Sequence, residues 1–293
     1  MNNLRRTLSL LLALVMLVAL GAFASAEDSA PADTAVTLTD EDVASLSYLN
    51  GQLRVGMECA YAPNNWQESE ASDTNVPIEN VPGAYAEGYD VQIARIIADQ
   101  LGLELVVVKM DWDGLIEALN QGQIDAIIAG MADTESRKEA INFTSPYHET
   151  VYALLVNAGT QYENATSLAD FNGASVLGQK DTALDWTIDQ IEGVNHLTAV
   201  ASVPDMIARL QQGTCDAIVI NLENAPGYLA ANPDFVVISF PEGEGLDPGF
   251  KGACVGLRKS DDALLSLADA VLATIDQEQR DELWETALTN QPT

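Results

Sequence analysis

Leu119-Asn120-Gln121-Gly122-Gln123-Ile124-Asp125-Ala126-Ile127 returns 91 residues later as Leu210-Gln211-Gln212-Gly213-Thr214-Cys215-Asp216-Ala217-Ile218. Both copies read L-x-x-G-x-x-D-A-I. Each describes a helix ending at a glycine, a two-residue turn and an apolar strand. Each copy thus places a strand C-terminus, and the loop after it, at the edge of a sheet. In open α/β sheets that edge is where ligands bind. Two copies point to two lobes that offer their edges to a shared cleft. The plainer alternative is that helix-glycine-strand units occur in any α/β chain.

Around the repeat, strand and helix alternate. Leu53–Met57 reads as a first strand. Tyr89–Gly102 has the apolar spacing of an amphipathic helix with a glycine stop. Leu103–Val108 is a buried strand, Asp113–Asn120 a helix and Ile124–Ala129 another buried strand. This alternation indicates an α/β fold with mostly parallel sheets. Between the first strand and helix, Ala60 to Gly88 reads as a long polar loop with Pro63, Pro77 and Pro82. A connection that long is either functional or disordered.

The chain has 293 residues, with 13 Lys+Arg against 44 Asp+Glu and a formal net charge of −31. So few cations exclude a nucleic-acid partner, which needs a basic face, and disfavour anionic lipid. Arg5 and Arg6, the apolar run Leu8–Phe23 and Ala24-Ser25-Ala26 form the three-part pattern of a secretory signal, residues 1–26, cleaved after Ala26. No Cys near the end of that run supports a lipid anchor. The expected protein is therefore secreted across the cytoplasmic membrane, to the periplasm or the extracellular face. Residues 27–50 read as a flexible lead-in, with a short capped helix starting at Thr39-Asp40-Glu41-Asp42. The acidic residues there read as solvated surface, since no loop has metal-ligand spacing.

Motifs for chemistry are scarce. The sequence holds no phosphate loop, no dinucleotide fingerprint and no G-x-S-x-G elbow. His148 and His196 stand far apart and form no zinc motif, so each reads as a surface or boundary residue. Cys59 and Cys254 either pair or stay free, and Cys215 reads as a buried thiol. No cofactor and no metal are implied.

From Leu53 to Lys259 the chain resembles the extracellular solute-binding proteins of amino-acid ABC importers, family 3. The resemblance rests on Leu53–Pro63, Gly88–Val91, Asp111–Ile116, Ile124–Arg137 continuing to Phe143–Tyr147, Ser167–Gly173 and Gly252–Lys259. It implies a two-lobed fold of the type II periplasmic-binding-protein kind with two crossover hinge strands. Lobe I would comprise 51–152 and 249–293, and lobe II 153–248.

The same resemblance assigns a ligand site. Arg137 matches the arginine that grips the ligand carboxylate, and a guanidinium fork suits that task. The alternative for Arg137 is a surface ion pair with Glu135 or Glu139. Gly130 and Ala132 match backbone contacts to the ligand ammonium and carboxylate. Tyr61 and Trp112 match an aromatic pair around the ligand side chain, with Trp66 as a third wall; ordinary packing is the alternative for all three. Glu58 matches an acidic position that meets polar or basic side chains. In lobe II the usual glycine-threonine turn reads Lys180-Asp181-Thr182-Ala183, where the N–H groups of Thr182 and Ala183 could donate. There Asp181 would repel a carboxylate unless Lys180 neutralises it. Asn221 stands where relatives place an acid for the ligand ammonium, so Glu223 or Glu58 would have to compensate.

The expected protein is a monomer, not an enzyme. It would capture an L-amino acid or a similar small polar solute by hinge closure and deliver it to an ABC permease with its ATPase. Two alternatives stand beside it. One is a prephenate-type dehydratase on the same fold, which needs a poised acid such as Glu58 or Glu223. The other is a ligand-sensing module, which needs an attached transmembrane or kinase segment.

Overall fold

The computed structural model describes residues 36–241, 243–250 and 252–292. The signal expected over 1–26, and the start of the lead-in, lie outside the described residues.

Two five-stranded sheets organise the chain. The first runs in the order Glu104–Lys109, Gln52–Met57, Ala126–Ile127, Gly256–Leu257, Asn142–Phe143. The second runs Asn195–His196, Ser175–Leu177, Ala217–Asn221, Tyr152–Asn157, Phe235–Ile238. In each, the first three strands are parallel. Gly256–Leu257 and Tyr152–Asn157 each run antiparallel to both neighbours. Parallelism is therefore broken once per sheet, and connectivity explains where. These are the strands the chain enters after passing from one sheet to the other. It arrives at the edge where the parallel strands end, so it must run away from that edge. The two passages lie side by side, His148–Glu149 paired antiparallel with Gly252–Ala253.

The repeat has the same atomic role in both sheets. Gly122 (φ +72°) and Gly213 (φ +66°) adopt the left-handed conformation that ends a helix without a Cβ penalty. Their N–H groups donate to the carbonyls of Leu119 and Leu210, both fully buried. Asp125 accepts the Arg54 N–H at 3.1 Å while its own N–H donates to Arg54 O at 2.7 Å. Asp216 does the same with Ser175, at 2.8 Å in both directions. In both copies the aspartate thus joins its strand to the neighbouring parallel one, and Ala-Ile continues the ladder.

Each sheet has its own core. Leu53, Val55, Ile93, Ile97, Leu119, Ile127 and Val271 belong to one apolar cluster. Leu154, Leu155, Phe171, Val176, Met206, Leu210 and Ile218 belong to the other. Two separate cores in one compact unit define two lobes with a seam between them.

Two expectations need correction. Ala60–Gly88 is not an open loop: Ala60–Tyr61, Asn65–Glu68, Tyr85–Glu87 and Val76–Pro77 form a four-stranded antiparallel sheet. Its strands are two to four residues long and largely polar, so no alternation marks them. Of the lead-in, residues 36–50 are packed rather than flexible, while the capped helix expected at Thr39 is present. Thr39 and Asp42 form a reciprocal capping box on the helix Asp40–Ser45, and Leu46 and Leu49 are buried in the first lobe's core. The three cysteines are free and buried, so Cys59 and Cys254 do not pair. Burial pushes both thiols up to about 12, which leaves them unreactive at neutral pH. No helix among the described residues is long and apolar enough to cross a membrane.

Candidate ligand-binding cleft

Between the lobes lies a cavity with about 570 Å³ of unfilled space, part of it open to solvent. The ends of the parallel strands and the two passages supply its walls. Among the described residues that line it, Arg137 is the only Lys or Arg, and Glu58 and Glu223 are the only carboxylates.

Arg137 sits on the first turn of the helix Glu135–Ala140, whose start is capped by the Thr134 hydroxyl. Its Nη1 donates to Ala132 O at 2.9 Å and its Nη2 to Asp181 O at 2.8 Å, across the lobes. The guanidinium carbon lies 5.2 Å from the Trp112 ring centroid, within cation–π range. Five N–H donors less these two leave three for a ligand. Burial lowers the group to about 10, so it stays cationic at neutral pH. The surface pairing considered for Arg137 falls instead to Lys138, which meets Asp133 at 2.8 Å and Glu135 at 3.2 Å.

The turn facing Arg137 explains how Asp181 is tolerated. Asp181 takes φ +58°, a conformation that glycine adopts freely and aspartate accepts at modest cost. Its carboxylate lies 3.3 Å from Lys180 Nζ, which also bridges to Asp113 of the other lobe at 2.5 Å. The Thr182 hydroxyl donates to Gln179 O and accepts from Leu184 N, fixing the turn.

Glu58 is only 9% exposed, and its carboxylate meets the Gln179 amide at 3.3 and 3.5 Å. Burial is the main force pushing it up to about 7, opposed by Gln179 and assisted by Asp111 and Asp113. The folded protein therefore holds this proton more tightly than the unfolded chain does. Stability should be full below the ordinary value of 4.5 and fall as pH rises to about 7, by up to roughly 3 kcal/mol. Thermal midpoints of wild type and Glu58→Gln from pH 4.5 to 8 check this. The curves should meet at the acid end, with the variant higher at neutral pH. Parallel curves would remove Glu58 as the cause.

The opposite wall is a hydrogen-bonded web. Tyr61 OH donates to Asn221 Oδ1 at 2.6 Å across the lobes. Asn221 Nδ2 faces Thr150 Oγ1 and Glu223 Oε1. The floor is Gly130, whose N–H donates to Tyr147 OH at 3.0 Å. A Cβ on Gly130 would lie 3.1 Å from the Tyr61 ring, and its φ is +67°, so glycine is required twice over.

The structure gathers Glu58, Tyr61, Trp112, Gly130, Ala132, Arg137, Thr182, Ala183 and Asn221 around this one cavity. It does not bring in Trp66. Tyr61 pairs across the hairpin with Asn65, and Trp66 with Ala60. Neighbouring residues of a strand face opposite sides, so Trp66 points away from Tyr61. It is buried, bonds to Glu68 at 2.7 Å and lines a separate apolar groove with Val203 and Ile207. Sequence reasoning missed Asn64, His148, Thr150, Tyr152, Gln179 and Phe250 as lining residues. The expected passage near residue 152 could have flagged His148, Thr150 and Tyr152. Gln179 immediately precedes the Lys180–Ala183 turn. Among the described residues no cluster of three or more His, Cys, Asp or Glu could hold a metal ion.

Two α/β lobes joined by paired crossovers, with a polar cavity between them, define a periplasmic-binding-protein fold. Residues 53–286 match the bacterial extracellular solute-binding proteins, family 3, and the chain belongs to that family. A probable histidine-binding protein of Campylobacter jejuni is 28% identical over 205 residues, 68% of this chain and 72% of the relative. An amino acid ABC transporter substrate-binding protein from Streptococcus pneumoniae, bound to L-arginine, superposes with a TM-score of 0.73 at 26% identity. The match covers 86% of this chain and 99% of that one. A mutant of ArgBP from T. maritima gives 0.68 at 28% identity, covering 85% and 100%.

Proposed function

We propose that this protein captures an L-amino acid with a polar or basic side chain between its lobes and presents it to an ABC permease with its ATPase. The observation that carries this reading is Arg137. It is a half-buried guanidinium, positioned by carbonyls from both lobes, with three donors to spare. A ligand carboxylate would complete it. Trp112, Tyr61, Glu58 and Gln179 then offer aromatic faces and acceptors to a side chain. The histidine- and arginine-binding relatives support a basic one. Closure about the crossovers dividing 51–152 and 249–293 from 153–248 would bury the ligand. The buried acid Glu58 favours a second reading, a dehydratase acting on prephenate-like acids.

A thermal-shift screen of the chain from Glu27 tests both, using the twenty L-amino acids and prephenate. A ligand at 100 times its Kd should stabilise by about 2.7 kcal/mol, raising the midpoint by roughly 5–11 °C. A rise with one or a few amino acids supports capture. Silence with all twenty overturns it, and a response to prephenate alone, with turnover, establishes the second reading.

A further inference from the structure

The cavity settles which carboxylate should meet the ligand's ammonium, an inference that rests on the amino-acid reading above. Asn221 is poorly placed for the task. Its carbonyl already accepts Tyr61 OH at 2.6 Å, and its amide faces Thr150 and, at 3.4 Å, Glu223. Both ends of its side chain are engaged, so it acts as a strut between the lobes. Glu58 lies in the wrong neighbourhood. Its partner is Gln179, and Asp111 and Asp113 are the carboxylates that act on it. The ammonium of an α-amino acid sits one carbon from its carboxylate, so its acceptor must lie near Arg137. Glu223 and Tyr152 line the same cavity as Arg137.

Glu223 is also built in. Its side chain is 18% exposed, and Oε1 accepts the Thr150 hydroxyl. Oε2 carries only a long bond from the Val151 N–H at 3.4 Å, which leaves acceptor capacity. Beside it stands His148, its ring stacked on Trp284 at 4.3 Å. His148 Nε2 is 3.5 Å from Glu223 Oε1 and is a buried polar atom without a hydrogen-bond partner. Buried polar atoms are rarely left so, and this one faces the cavity wall that holds Glu223.

We propose that Glu223, positioned by Thr150 and flanked by His148, accepts the ligand's α-ammonium, while Asn221 holds the lobes together. An ammonium donates three hydrogen bonds, and this corner offers it a carboxylate. The acid two residues beyond the strand end would then do what Asn221 cannot.

The test compares an L-amino acid that shifts the wild type with the matching des-amino carboxylic acid, by calorimetry on the chain from Glu27. Glu223→Gln should weaken the amino acid about 10- to 100-fold and leave the des-amino acid unchanged, because only one charge-assisted bond is lost. Glu223→Asp should recover part of the loss. Unchanged des-amino binding also shows that the variant is folded. Equal weakening of both ligands, or amino-acid affinity unchanged in Glu223→Gln, overturns the assignment and leaves amino-acid capture standing. Wild-type silence to all twenty amino acids overturns capture and the assignment together.

Discussion

Arg137→Ala should weaken amino-acid binding by roughly 100- to 1,000-fold, the largest effect expected of any single change in the cleft. Among the described residues no other Lys or Arg lines the cavity. The substitution also strands the carbonyls of Ala132 and Asp181, each of which now receives a guanidinium N–H. The Asp181 bond crosses the seam, so its loss should loosen closure as well as grip. Affinity should therefore fall mainly through a faster off-rate. Arg137→Lys should restore little. A lysine carries the charge at a point and cannot meet two carbonyls and a carboxylate with one rigid fork. Calorimetry and stopped-flow release on both variants measure this. A Kd within tenfold of wild type for Arg137→Ala would remove Arg137 as the anchor, whatever else the cavity binds.

What could be read beforehand follows from the range of the signals. The L-x-x-G-x-x-D-A-I repeat was legible because helix stop, turn and strand start are local. Gly122 and Gly213 have the positive φ the pattern demands, and Asp125 and Asp216 make matching bonds. The role of those aspartates was not legible, because Arg54 and Ser175 lie 71 and 41 residues away. Direction within the sheets was equally hidden. Tyr152–Asn157 is apolar and fully strand-like, but only the passage from the other lobe dictates that it run backwards. In the cleft, motif matches carried Arg137 and Trp112, which stand in recognisable local runs. Trp66 failed for a reason of one residue: the pleat turns it to the face opposite Tyr61, and the short polar strand offers no alternation from which to count. His148 lies on the first passage and Glu223 in the second lobe, so their meeting was not legible, although the motif points to Glu223 as a stand-in for Asn221.

Beneath the cleft, Asp90→Ala should cost about 4 kcal/mol of folding stability and lower the thermal midpoint by roughly 8–16 °C. Asp90 is fully buried in the first turn of the helix Tyr89–Gln100, where the helix dipole favours an acid. Its carboxylate accepts Tyr147 OH at 2.6 Å and the Asn65 amide at 2.8 Å. Alanine leaves both donors buried without an acceptor, and each orphan costs about 1–3 kcal/mol. Asp90→Asn keeps one acceptor and should lose less. Burial raises the Asp90 carboxyl above its ordinary 3.8, although Tyr147 and Asn65 both favour the ionised form. Folding therefore favours its protonated state. The stability it confers is full below the ordinary aspartate range and declines as pH rises through the raised value. The gap between wild type and Asp90→Asn should accordingly narrow with rising pH across that window. Tyr147 carries the effect to the site, because the hydroxyl that donates to Asp90 also accepts the Gly130 N–H. Tyr147→Phe should then cost about 2 kcal/mol and weaken ligand binding. Midpoints by calorimetry and Kd on the same preparations separate the two effects. A Tyr147→Phe variant that is less stable but binds as wild type would show that Gly130 keeps its place without the hydroxyl, and would confine this network to folding.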